Sequence, residues 1–297
     1  MSDQNPFLSL LASGRPILSD GAMGTVLHTR GVNFNECFDA LNLNRPALVA
    51  EIHREYIEAG SQIIQTNTFG ANRYKLSRHG LENEVARINA AGVELARRVV
   101  WASYKPVLIA GDVGPLGVRL APFGRVKPEQ ARAAFSEQIA ALTQANIDLL
   151  IIETMSDLLE VNEAIQAAHE VAPGLPVIAS MTFTRDDRTL LGDGPAKVAQ
   201  SLHQAGATVI GVNCSGGPHQ ILRILKQMRS TIPDGRFSAM PNAGWPEQVG
   251  GRIMYPAGPE YFGEYATSFC EAGTNVLGGC CGTTPQHIAA MAKALQS

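Results

Sequence analysis

Aromatic side chains are scarce in this chain, 6% of 297 residues, and charged ones account for only 17%. So little charge, beside 45% hydrophobic residues, excludes an intrinsically disordered chain and describes one that buries a large core. A surplus of positive charge is missing too. The 24 Lys and Arg are scattered and set against 27 Asp and Glu, which leaves no basic face for nucleic acid. No apolar run reaches the roughly 18 residues that a membrane helix needs. The N-terminus, acidic at Asp3 and with a short apolar stretch, does not have the form of a secretory signal. The expected location is the cytoplasm. An even set of cysteines is also absent: Cys37, Cys214, Cys270, Cys280 and Cys281 make five. An odd number argues against a disulfide framework and leaves metal binding, thiol chemistry or plain burial.

What the chain has is alternation. Short, nearly unbroken apolar runs occupy 16–19, 61–65, 107–111, 148–152, 177–181, 208–212, 237–240 and 275–278. Such runs suit parallel strands covered on both faces. Amphipathic stretches at helical spacing lie between them, at 47–59, 129–146, 157–171, 196–205, 220–230, 260–272 and 285–295. Eight strand–helix units in one domain spanning 1–297 predict an α/β fold, a single (β/α)8 barrel, with a doubly wound open sheet as the alternative. The Gly- and Pro-rich stretch 242–259 reads as a loop at the barrel mouth.

Each run ends in a polar or thiol residue: Asp20, Asn67, Asp112, Glu153, Thr182, Cys214, Asn242 and Cys280. In a barrel these ends surround one pocket. Asp, Asn and Thr there could equally cap the following helices, but cysteine is not a capping residue. Cys214 and the pair Cys280–Cys281 leave two strand ends with one strand between, a gap of about 10 Å. Cysteines leaning inward with metal–sulfur bonds of ~2.3 Å can close it. Adjacent cysteines point to opposite faces unless the backbone turns, and Gly278, Gly279 and Gly282 permit the turn. Three ligands with an open fourth position describe a catalytic rather than a structural metal site. Buried free thiols, or a phosphate cradled by the Gly-Gly pair, remain open on these grounds.

The residues around these positions carry a resemblance. GVNCSGGP at Cys214 and GGCCGTTP at Cys280 and Cys281 look like the two cysteine motifs of the homocysteine S-methyltransferases. SDGAMGT from Ser19, HREYIEAGSQIIQTNTFGAN from His53, IIETMSD from Ile151 and PNAG from Pro241 resemble motifs of the same family. The variants TNTFGAN, PNAG and GGCCGTTP are most similar to the homocysteine half of cobalamin-dependent methionine synthases, and to the related half of bifunctional homocysteine methyltransferase/folate reductase proteins. The resemblance implies a (β/α)8 barrel in which Cys214, Cys280 and Cys281 bind Zn(II). It implies that Asp20 and Glu153 hold the homocysteine amino group. Backbone N–H groups at Gly21 and Ala22 then suit its carboxylate, and Asn242 could fill the fourth zinc position when substrate is absent.

The chemistry fits those residue types. A free thiol, pKa near 8.5, is mostly protonated at neutral pH, and a metal deprotonates it outright. Three thiolates around Zn(II) keep a fourth sulfur electron-rich, which suits thiol alkylation better than water activation. A methyl donor must be cationic, like S-methylmethionine or betaine, or corrinoid-bound. No Asp-x-His-x-x-Gly corrinoid motif occurs, and no length remains for a folate or cobalamin domain. With few aromatics to attract a cation (Trp245, Tyr255 and Phe69 are the candidates), the expected donor is methylcobalamin or a methyl-corrinoid partner, with S-methylmethionine or betaine as the alternative; a corrinoid- or folate-carrying protein is the partner such a site would meet. A non-catalytic zinc or thiol sensor is the reading from another class. A lyase on the same barrel would want Lys or a phosphate loop at the strand ends, and no strand end carries Lys. Cys37, Cys270 and His53 are expected to be structural.

Overall fold

The apolar runs form parallel strands. The computed structural model describes residues 5–249 and 252–296. Eight strands compose the main sheet: β1 (Ile17–Leu18), β2 (Ile63–Gln65), β3 (Leu108–Val113), β4 (Leu149–Met155), β5 (Val177–Met181), β6 (Val209–Asn213), β7 (Phe237–Met240) and β10 (Val276–Leu277). They run β1-β10-β7-β6-β5-β4-β3-β2, every neighbour parallel. A single bridge, Ser19 to Ile63, brings the two ends together. The result is the expected (β/α)8 barrel, not the open sheet.

Alternation along the strands sorts side chains into two layers. Ile17, Ile63, Leu149, Ile151, Ile178, Val209 and Val276 form the inner cluster, joined by Phe7 and Leu11 of the first helix, Pro6–Ala12. That helix plugs the interior, and Asn5 Nδ2 donates to the Asp148 carbonyl at 2.9 Å. The intervening residues, among them Leu18, Ile64, Leu150, Ala179, Ile210 and Leu277, face the outer helices.

Eight helices follow the strands in turn: Pro46–Glu58, Val85–Ser103, Pro128–Gln144, Leu158–Val171, Pro195–Gln204, Pro218–Thr231, Pro259–Glu271 and Pro285–Gln296. Most begin with proline, whose fixed φ and missing N–H fit the first turn. Seven match the amphipathic stretches; Val85–Ser103 is an addition. The expected mouth loop after β7 contains a short antiparallel hairpin, β8 (Glu247–Val249) with β9 (Arg252–Met254).

The β1–β2 seam is stitched by side chains. The Gln62 amide oxygen accepts from Leu18 N at 3.1 Å, and the Asp20 carboxylate accepts from Gln65 N at 2.8 Å. No described helix is long and apolar enough to cross a membrane.

Candidate metal centre and substrate pocket

A cavity of about 570 Å³ opens at the C-terminal ends of the strands. Of the eight strand-end residues, Asp20, Asn67, Asp112, Glu153, Cys214 and Cys280 line it. Thr182 and Asn242 stand behind the lining. The Thr182 hydroxyl donates to the Cys214 carbonyl at 2.7 Å. Asn242 is buried with its Oδ1 unpartnered.

The three cysteines converge. Their sulfurs all lie within 4.8 Å of one another, with Cys214 Sγ 3.5 Å from Cys281 Sγ. Tetrahedral bonds of ~2.3 Å place sulfurs ~3.8 Å apart, so the donor set fits a thiophilic ion such as zinc. The backbone makes this possible. Cys214 adopts left-handed φ, 46°, directly after β6. Gly282, at φ 80°, completes the turn that lets both Cys280 and Cys281 face inward, and a Cβ there would collide with the Tyr255 ring. Cys280 N donates to Pro241 O at 2.8 Å, and Ala243 N to Cys281 O at 2.9 Å, pinning the pair. Hydrogen bonds from Cys214 and Cys280 drop Cys281 to about 3, against the opposing effect of burial. The bonds Cys280 gives to Cys214 and Cys281, with burial, hold its own thiol well up. Tyr255, a mouth candidate in the sequence, contributes a hydrogen bond that also favours the Cys281 thiolate.

The opposite wall is acidic. Burial raises Asp20 to about 7, against hydrogen bonds from Gln65. Glu153 rises to about 8 through burial, then through the charges of Cys281 and Asp20. Asp112 is pushed well above the carboxylate range by burial and then by Glu153, and its Oδ1 is buried without a partner. The charge of Lys75 offsets only part of this rise at Asp112 and Glu153. Gly21 and Ala22 line the cavity beside Asp20. The Ala22 N–H, however, donates to Thr283 Oγ1 at 3.1 Å. That amide already has a partner within the chain.

Two further residues matter as well. Lys75, in the short helix Arg73–Leu76, reaches the cavity although no strand end carries lysine. It sits 4.0 Å over Phe69, and burial lowers its pKa. Asn213 binds both Glu153 and Thr154; at a strand end it reads as a helix cap, and no spacing signal separates the two roles. Cys37 lines the outer cavity, apart from the sulfur cluster. Cys270 lies in the helix Pro259–Glu271. His53 is fully buried with both ring nitrogens unpartnered.

Residues 17–295 match the family model described as homocysteine S-methyltransferase. The chain belongs to the homocysteine S-methyltransferase family. The enzyme class expected from the motifs, a methyltransferase acting on homocysteine, is that of the family. Methionine synthases from Mycobacterium leprae and Mycobacterium tuberculosis are each 31% identical over 95% of this chain. The match covers 24% and 25% of their lengths, so the chain spans about a quarter of these curated relatives. Among solved structures, the metallated homocysteine methyltransferase MmuM from Escherichia coli is 27% identical with a TM-score of 0.80. That match covers 97% of this chain and 99% of MmuM. The carboxyl transferase domain of Rhizobium etli pyruvate carboxylase, 13% identical with a TM-score of 0.52 over 96% of this chain and 48% of that one, shares the fold alone.

Proposed function

We propose that residues 1–297 act as one domain that transfers a methyl group to the sulfur of L-homocysteine, giving methionine, with zinc held by Cys214, Cys280 and Cys281. The observation that carries this reading is one cavity with a sulfur triad on one wall and cation-seeking carboxyls on the other. Asp20 and Glu153 bind the substrate ammonium, and the backbone at Gly21 faces the carboxylate. Zinc, when bound, supplies the positive charge that removes the thiol proton and keeps the substrate sulfur nucleophilic at neutral pH. The chain's own residues hold the head group and so aim the sulfur at the mouth. Positioning of this kind contributes several kcal/mol, up to ~7–11 in ideal cases. Asn242, with its free Oδ1, is a reserve ligand for the substrate-free state. The cytoplasm, where thiols stay reduced, suits the site.

For the donor we favour methylcobalamin or a partner that carries the methyl group on a corrinoid, over a folate-carrying partner, S-methylmethionine or betaine. Two aromatic faces that would attract a small cation are already covered by the chain's own cations. Lys75 lies over Phe69, and the Arg185 guanidinium is 4.9 Å from the Trp245 ring. The mouth also exposes Phe34, Phe123, Leu190, Leu191, Ile253 and Met254, all in stretches that follow barrel strands. Such a rim suits a large partner. The deciding experiment incubates the zinc-loaded chain with homocysteine and, separately, methylcobalamin, S-methylmethionine and betaine, and measures methionine. Turnover is expected with methylcobalamin. Fast turnover on S-methylmethionine with none on methylcobalamin rejects the donor assignment; no methionine from any donor rejects the function.

A further inference from the structure

β4 is irregular where it meets the cavity. Its register with β5 shifts between Ile152 and Met155, and Thr154 adopts left-handed φ, 58°. A bulge of this kind takes residues out of the ladder and re-aims their side chains. One side chain reaches across β5 to bind what the break leaves loose. It is Asn213, the last residue of β6, and it is fully buried. Its Oδ1 accepts from Thr154 N at 2.9 Å. Its Nδ2 donates to Glu153 Oε2 at 2.6 Å and to Thr154 Oγ1 at 2.7 Å, and lies 3.8 Å from Cys280 Sγ. The two hydrogens of this amide are thus shared among a carboxylate, a hydroxyl and a thiol. One nitrogen stands between the acid wall and the sulfur wall, within 4 Å of both.

We infer that Asn213 is a positioning residue that fixes the span between the amino-acid end and the sulfur end of the site, and thereby selects homocysteine over shorter and longer aminothiols. The inference rests on the proposed roles of Glu153 and the sulfur triad. Cysteine lacks one methylene. In a plain apolar pocket a missing methylene is worth only ~10–200-fold. A site gripping both ends of its ligand discriminates by reach, provided that neither grip can follow the ligand inward. Asn213 is what prevents Glu153 from following: its amide anchors the carboxylate and the left-handed Thr154 together, and it touches Cys280 from the same atom.

The test uses the full zinc-loaded chain and measures binding by calorimetry with homocysteine, cysteine and the homologue longer by one methylene, with zinc content measured in parallel. Wild type is expected to bind homocysteine at least about tenfold more tightly than either neighbour. Asn213→Asp keeps the shape and the acceptor for Thr154 N, but turns the donor into a group that repels Glu153. Asn213→Ala removes all four contacts. Each is expected to retain its zinc and to reduce the preference for homocysteine over cysteine at least about fivefold. An unchanged preference in zinc-loaded variants overturns the inference, as does equal binding of all three aminothiols by wild type. Glu153→Gln separates the two levels. If it weakens all three ligands while the Asn213 variants keep wild-type preference, only the role of Asn213 falls. If it leaves homocysteine affinity unchanged, the ammonium assignment falls and this inference with it.

Discussion

The sulfur wall and the acid wall of the cavity are made by opposite means. On the sulfur side the backbone is bent. Cys214 occupies left-handed space that side chains other than glycine rarely enter, and Gly282 supplies the second bend. The sulfurs therefore converge before any ligand arrives. On the acid side, Asp20 and Asp112 sit at or in ordinary strand ends, and what is unusual is charge: two buried carboxyls and the half-buried Glu153 crowd together, each pushed upward. Under the proposed function, the ligand's ammonium completes that wall. One wall is preset in shape and the other in charge, which under the proposed function suits a metal held permanently and an amino acid held transiently.

The largest effect should come from breaking the sulfur wall. Ala at Cys214, Cys280 or Cys281 is expected to remove zinc and to cut methionine formation by at least about a hundredfold, while the circular dichroism of the barrel persists. A triple variant that keeps metal and turnover would refute the assignment. X-ray absorption on wild type should show one additional sulfur at the metal when homocysteine is added.

Breaking the acid wall should spare the metal. Asp20→Asn and Glu153→Gln are each expected to weaken homocysteine binding by about 1.5–3 kcal/mol with zinc content unchanged. The carboxyls at about 7 and about 8 add a pH signature. An ammonium draws their protons off, so homocysteine binding should tighten as pH rises through that window and release protons. Calorimetry in two buffers of different ionisation enthalpy reads this as the difference between wild type and Glu153→Gln, because the thiol proton is released in both; equal proton release by the two would contradict it.

A gentler perturbation reaches the bend itself. Gly282→Ala forces a side chain into left-handed backbone and against Tyr255. It should cost about 1–3 kcal/mol of zinc affinity, seen by chelator competition. Equal affinity would mean that the turn relaxes freely.

The smallest effect at neutral pH belongs to a control away from both walls. Burial holds the His53 ring at about 4 in the fold, against 6.5 for an ordinary histidine. As pH falls from 6.5 toward 4 the unfolded chain takes up the proton first, so stability drains across that window. His53→Leu should change stability by less than about 1 kcal/mol at pH 7. It should flatten the acid side of the stability curve; a curve parallel to wild type there would show that His53 does not titrate as its burial implies.

The barrel was legible because unbroken apolar runs and proline-started helices are local signals. β5 and β7 have the bounds that their runs predict. The helix Val85–Ser103 escaped because its buried face includes Asn89 and Gly92, which dilute the apolar period. Gly92 is there because the helix packs closely on Asn42 and Thr68. The hairpin β8–β9 is short, with exposed Glu247, Gln248, Ile253 and Met254, and presents no pattern against a Gly-rich loop. Convergence of Cys214, Cys280 and Cys281 could be anticipated from strand order. The commitment of the Ala22 amide to Thr283 could not, because that contact joins residues 261 positions apart. Lys75 was equally hidden, entering the cavity from a loop helix rather than a strand end.

The seam between β1 and β2 has one further consequence. Asp20 accepts from both the main-chain and the side-chain nitrogen of Gln65, at 2.8 and 3.0 Å. Under the proposed assignment, the same two oxygens that fasten these staves together also receive the ligand's ammonium. Occupancy and closure then compete for one carboxylate. The exchange rate of the Gln65 amide proton becomes a gauge of how full the pocket is, readable by deuterium labelling without any methyl donor present.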